Sequence, residues 1–162
     1  MKNRRSYLVY LFLGLAYTVC TSMIYPILPV YYVQEVGMNP LQLVLVGTTL
    51  EATILLFEVP TGVVADTYGR RLSVIVGEVL IGTGWVIQGS FPSFALVLLA
   101  AVIRGVGDTF ISGALDAWIA DEVGEEHLAQ AYLRYGQARR VGFFAGIGVG
   151  VALASIQLGL PI

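Results

Sequence analysis

Long apolar runs separated by short polar breaks make up most of this chain. A helix that crosses a bilayer needs about 20 mostly apolar residues. Segments at roughly 7–33, 41–65, 72–90, 94–120 and 138–160 meet that length, which predicts an all-α bundle of five spans. The breaks fall where turn residues cluster: Gly37-Met38-Asn39-Pro40 between the first pair, Asp66 to Arg71 between the second and third, and Gly89-Ser90-Phe91-Pro92-Ser93 before the fourth. Pro40 and Pro92 suit helix starts, where a missing N–H leaves no bond unmade. From Asp121 to Arg140 the apolar residues Leu128, Ala131, Tyr132 and Tyr135 recur at helical spacing. Two readings fit: a short amphipathic helix at the interface, or one long helix that runs on into the fifth span. In the second, Arg139 and Arg140 sit in the inner mouth and not in a loop.

Composition narrows the class. The 162 residues are 57% hydrophobic and 12% charged, with a mean hydropathy of +0.79. A soluble domain is about a quarter charged, so a polytopic membrane protein is expected. The single cysteine, Cys20, excludes an internal disulfide and is expected to pack within its apolar run. The run from Tyr7 to Val33 exceeds the roughly 7–15 residues of a signal-peptide core. No small-x-small cleavage site follows it, and Val19 before Cys20 does not suit a lipoprotein, so it reads as a retained first span.

Charge then sets the orientation. Lys2, Arg4 and Arg5 precede the first span, Arg70 and Arg71 follow the second, and Arg134, Arg139 and Arg140 lie between the fourth span and the apolar part of the fifth. The connections on the opposite side carry no Lys or Arg. The side holding the basic residues is therefore expected to be cytoplasmic, with the N-terminus inside, in the inner or plasma membrane. The remaining basic residue, Arg104, lies inside the fourth span.

Ionisable groups inside the spans are Glu51, Glu58, Glu78, Arg104, Asp108 and Asp116. Each costs at least about 2.5 kcal/mol if charged at the bilayer centre, so each needs a partner, a proton or water. Arg104 and Asp108 are four apart and can pair on one helix. Asp116 is eight residues beyond Asp108, near the same face again. From an outer end near Ser93, Arg104 lies about 15 Å deep. The functional reading is a substrate or proton site; the structural one is a pair that only fixes packing. Glu51, near the midplane of span two, is the better proton-coupling candidate, because a carboxyl deprived of water favours its neutral form. Glu58 stands beside Pro60, which can kink the helix, and is expected to cap a freed backbone group or pair with a basic residue. Glu78 reads as structural or as close enough to the inner interface to reach water. Tyr17, Thr21 and Tyr25 form a polar stripe that either lines a cavity or bonds between helices, while Tyr31 and Tyr32 read as interface anchors. Gly142, Gly146 and Gly150, with Gly148 beside them, mark a packing surface, as do Gly77, Gly84, Gly105 and Gly113. His127 reads as a solvated loop residue.

The stretch Gly62-x-x-x-Asp66-x-x-Gly69-Arg70-Arg71 resembles the signature loop between the second and third helices of the major facilitator superfamily. The family has a basic residue directly after the acid, where this chain has Thr67. The resemblance implies most of an N-terminal six-helix half, helices one to five, without the sixth span and the C-terminal half. It also implies secondary transport of a small solute by alternating access, coupled to a proton or sodium ion. Asp108, Arg104, Glu51, Asp116, Tyr17, Thr21 and Tyr25 would serve the substrate or proton path. Gly62, Asp66, Gly69, Arg70, Arg71 and Asp121 would form a cytoplasmic gate, with Asp121 pairing an arginine of the loop. Arg104-Gly105-Val106-Gly107 resembles the family's fourth-helix motif, although the usual arginine position holds Ala101. The drug-antiporter pattern Gly-x-x-x-Gly-Pro is broken by Val151 after Gly150. Two other classes stay open: a complete small membrane protein that acts as an oligomer or partner subunit, and an intramembrane enzyme using Asp108 and Glu51. No phosphate loop, metal cluster or nucleophile–base pair appears, so no enzyme, cofactor or nucleic-acid partner is expected; the expected partners are the solute, the lipid bilayer and the absent half.

Overall fold

A computed structural model describes residues 4–156. Lys2 and the end of the fifth predicted segment, 157–160, lie outside the described residues. The regular structure of the described residues is helical: α1 (Arg4–Ile24), α2 (Leu28–Gln34), α3 (Pro40–Tyr68), α4 (Arg70–Ser90), α5 (Phe94–Ile111), α6 (Ala114–Val123) and α7 (Glu125–Ala154). Four runs are long and apolar enough to cross a membrane: Arg4–Gln34, Pro40–Tyr68, Arg70–Ser90 and Phe94–Val123. The described part of α7 falls outside that set, since Arg139 and Arg140 precede its apolar half.

Local chemistry explains the helix ends. Asn39 caps α3 by accepting from the Gln42 N–H at 3.0 Å, while the Gln42 side chain accepts from the Asn39 N–H at 3.0 Å. Pro40 fills the first helical turn, as its sequence position implies. Pro92 does not start a helix: α5 begins at Phe94 with Ser93 as its N-cap. Pro60 does not interrupt α3, which is continuous to Tyr68. Beside it Glu58 is exposed and caps no backbone group among the described residues. Gly69 alone separates α3 from α4, at φ +105°, where a Cβ would be strained. Gly113 is a joint and not a packing glycine: its φ is +72° and nothing lies within 4 Å of its missing Cβ. It divides the predicted fourth span into α5 and α6. The predicted first span is also divided, at Tyr25–Ile27, beside Pro26.

The chain forms two compact units. One holds the chain up to Leu28 and from Trp118 onward; the other holds Pro29–Ala117. In the first, α1 and α7 pack side by side and run parallel. Gly142, Gly146 and Gly150 meet the carbonyls of Leu15, Val19 and Met23 in turn, a constant register on both helices. Small residues matter here because the hydrophobic effect gives helices no help inside lipid, so close approach must supply dispersion contacts. Gly148 has open space around it and takes no part. Cys20 is exposed on α1, because the α7-facing positions are Tyr10, Gly14, Thr18 and Ser22, at four-residue steps that miss it. α7 is one helix from Glu125 to Ala154, so Arg139 and Arg140 are helical residues, and His127 lies in its first turn and not in a loop.

In the second unit α5 packs against both α3 and α4. α4 and α5 are antiparallel, and Gly77 and Gly107 face each other: a Cβ on either would come 2.7 or 2.9 Å from the other's carbonyl oxygen. Ser73 adds a bond to the Phe110 carbonyl at 2.6 Å. α3 contributes Thr53 against Gly105 and Thr61, whose hydroxyl reaches the Thr109 carbonyl at 3.1 Å. Its other face, with Leu55, Leu56, Val59 and Val63, is exposed and suits lipid. Tyr31 and Tyr32 are buried, which overturns their reading as interface anchors. Their hydroxyls donate to the Gln88 carbonyl at 3.0 Å and the Gln88 Oε1 at 3.1 Å. Gln88 is 0% exposed, so its backbone and side-chain oxygens need those two hydroxyls more than the headgroups do.

Candidate functional site

Four ionisable residues of α3, α4 and α5, namely Glu51, Glu78, Arg104 and Asp108, are electrostatic neighbours in the second unit. Arg104, ten residues into α5, is 4% exposed. Gly84 of α4 makes room for it: a Cβ there would overlap the Arg104 Cγ. The guanidinium passes through that slot and lies over the Trp85 ring, 3.9 Å from its centroid. That is a cation–π contact with little water to weaken it. It does not close the expected ion pair with Asp108. Spacing alone permits the pair, but the slot at Gly84 draws the side chain across to α4. Nε and Nη1 of Arg104 are buried without a hydrogen-bond partner. Buried guanidinium donors in that state are rare, and such groups gather where a ligand, an ion or water completes them.

Asp108 stands one turn further along α5 and is half-buried. Its charged neighbours are Arg104 and Glu51, with Glu78 acting on it from α4. The structure thus makes Asp108, Arg104 and Glu51 neighbours and adds Glu78, whose sequence position suits a structural role or access to water at the inner interface. With Glu51 exposed on α3, Asp108 has two carboxyls and one arginine as its charged neighbours, and that excess of acid can bind a cation or exchange a proton. Asp116 does not extend the α5 face. The count of eight residues from Asp108 assumes an unbroken helix, and Ser112-Gly113 interrupt it. Asp116 falls instead in the first turn of α6 and is exposed.

On α1, Tyr17 and Thr21 are half-buried and Tyr25 is 50% exposed. The Thr21 hydroxyl donates to its own helix at the Tyr17 carbonyl, 2.8 Å away, so its proton is already engaged. The Tyr25 N–H still bonds the Thr21 carbonyl at 2.9 Å, which keeps the stripe helical to that point.

The signature stretch is almost entirely helical. Gly62 lies within α3 with open space at its missing Cβ. Asp66 and Thr67 occupy the last turn of α3, and the Thr67 hydroxyl bonds the Val63 carbonyl at 2.7 Å. Asp66 is exposed and makes no hydrogen bond or ion pair among the described residues. Arg70 and Arg71 open α4. Arg70 is half-buried and donates from Nη1 to the Ala117 carbonyl at 3.3 Å, while Arg71 is exposed. Asp121 is exposed near the end of α6.

Membrane helices packed through glycine, a signature stretch built around one left-handed glycine, and buried charge within the spans define a polytopic membrane protein of a known kind. The family model described as Major Facilitator Superfamily matches residues 10–160, and the chain belongs to that family. Among curated relatives, the uncharacterized MFS-type transporter YxaM of Bacillus subtilis is 33% identical over 94 residues, which is 58% of this chain and 24% of that protein. The quinolone resistance protein NorA of Staphylococcus aureus is 22% identical over 98% of this chain and 40% of its own length. The chain therefore spans less than half the length of either relative.

Proposed function

We propose that this chain is part of a secondary transporter that moves a small solute by alternating access, driven by a proton or sodium gradient. The observation that carries the reading is Arg104: a nearly fully buried cation inside a membrane span, with two donors unpaired beside Asp108, itself a neighbour of Glu51 and Glu78. A purely structural charge would have its donors satisfied. Asp108 and Glu51 take the coupling ion, and Arg104 supplies the neighbouring positive charge. Asp66, Arg70, Arg71 and Asp121 keep the inner side closed in the outward-open form. The remainder of a protein of the relatives' length supplies the second half, against which this one rocks. The basic residues flanking the helices support an N-terminus on the cytoplasmic side of a plasma or inner membrane.

NorA supplies the first solute to test, a quinolone, although Val151 departs from the antiporter pattern. Inside-out vesicles holding the full-length protein are given a pH or sodium gradient, and quinolone movement is followed beside a panel of other small solutes. Asp108→Asn is expected to abolish gradient dependence while exchange of solute persists. Vesicles in which the unaltered protein moves no solute under either gradient would sink the proposal.

A further inference from the structure

We propose that Arg139 is an anion-binding residue that takes the carboxylate of a solute, presented by Thr18 and a stacked tyrosine pair. The assignment rests on the solute-transport reading above for its purpose, and its test separates the two. Arg139 lies on the α1-facing side of α7, two turns beyond Ala131 and one beyond Tyr135. The Tyr135 ring lies over Gly14, where a Cβ would overlap it, and stacks on Tyr10 with centroids 4.2 Å apart and planes 17° off parallel. That stack forms a flat floor. The guanidinium carbon of Arg139 is 5.7 Å from the Tyr135 centroid, and its Nε donates to Thr18 Oγ1 at 3.1 Å.

Among the described residues Nε is the only donor of Arg139 in use, and no carboxylate pairs with it. Four N–H bonds on the two Nη atoms remain, and the residue is exposed. The depth matters. Thr18 lies about 16 Å along α1 from Tyr7, about half of a ~30 Å hydrocarbon core. Beyond Arg139, α7 exposes Val141, Phe143 and Phe144. An open guanidinium at that level is expensive in lipid and is found where it faces a cavity or a counter-charge. Packing alone does not explain it, because a neutral glutamine could make the same bond to Thr18.

The chemistry of the ligand follows from which donors are left. With Nε engaged, the free edge is the end-on pair Nη1 and Nη2, whose parallel N–H bonds match the two oxygens of a carboxylate. Arg140 is about 100° further around the helix, so a single positive charge serves this point, which suits a monovalent anion. This site lies in the α1–α7 unit, and the Arg104 cluster belongs to the other unit.

The probe is benzoate, with benzamide as its uncharged counterpart, in thermal unfolding of the detergent-purified full-length protein. Benzoate is expected to raise the melting temperature and benzamide to leave it unchanged. Arg139→Gln is expected to weaken benzoate binding by about 10-fold or more. Arg139→Lys, which keeps charge but loses the fork, and Thr18→Val, which loses the anchor, are expected to fall between. No benzoate effect on the unaltered protein, or equal effects with and without Arg139, overturns the site. If Arg139→Gln does not fold, unchanged benzoate affinity in both Arg139→Lys and Thr18→Val overturns it equally. Arg139-independent benzoate behaviour with gradient-driven transport intact removes the anion site alone. Arg139-dependent binding in a protein that transports nothing removes the transport reading alone.

Discussion

Two glycines on α7, two residues apart, are expected to respond in opposite ways to the same added methyl group. A Cβ on Gly146 would stand 2.5 Å from the Val19 carbonyl oxygen and 2.8 Å from the Ser22 Cβ. Ordinary contact begins at 3.4 Å, so the helices must part by about 0.9 Å (3.4 minus 2.5). A gap of that size forfeits roughly a quarter to a half of each local dispersion contact, and overpacking of this kind costs about 1–3 kcal/mol. At Gly148 a Cβ meets nothing within 4 Å. There the methyl group only removes a glycine from a helix interior, a gain of about 0.5–1 kcal/mol. Gly146→Ala and Gly148→Ala should therefore differ by about 1.5–4 kcal/mol. Equilibrium unfolding of the full-length protein in mixed detergent micelles measures this directly. Equal midpoints, or a Gly148 variant below the Gly146 variant, would refute the α1–α7 register.

Tyr32→Phe should cost about 1–3 kcal/mol, because it leaves the buried Gln88 Oε1 without its donor; adding Gln88→Leu should recover part of that in a double-mutant cycle. Gly69→Val should destabilise by about 1–2 kcal/mol or more, since φ +105° suits no β-branched residue; thermal unfolding measures it, and an unchanged melting point would mean the joint relaxes. Thr61→Val removes the bond to the Thr109 carbonyl and should cost about 0.6 kcal/mol, whereas Thr67→Val, whose hydroxyl bonds only its own helix, should be neutral in the same assay.

The apolar runs were legible because lipid imposes one length and one polarity on every span. What spacing could not reveal were contacts made between distant runs. Arg104 and Asp108 are correctly placed for a pair, yet the slot at Gly84, twenty residues earlier, turns the arginine toward Trp85. Gly113 looks like any other glycine of the packing set; only its backbone angle distinguishes a joint from a contact. Tyr31 and Tyr32 follow the pattern of an aromatic belt, and the single polar residue that contradicts it, Gln88, was visible in the run 72–90 as an amide with no water to face. The site at Arg139 depended on whether α7 is one helix or two, and periodicity allowed both. The capping box of Asn39 and Gln42 was fully written in the sequence and needed only the three-residue spacing to be read.

The parallel pairing of α1 with α7 also has a consequence for biosynthesis. Thr18 and Arg139, which bond each other, are 121 residues apart. At about 5–20 residues per second, the ribosome needs roughly 6–24 s to make the second after the first. Until then the stripe of Tyr10, Gly14, Thr18 and Ser22 has no α7 to cover it, and α1 waits in the membrane with its polar side toward lipid or the insertion machinery. Its early residence there must come from the apolar remainder of the helix. Chains stalled before Arg139 should leave α1 open to cross-linking by that machinery, and release should coincide with the arrival of α7.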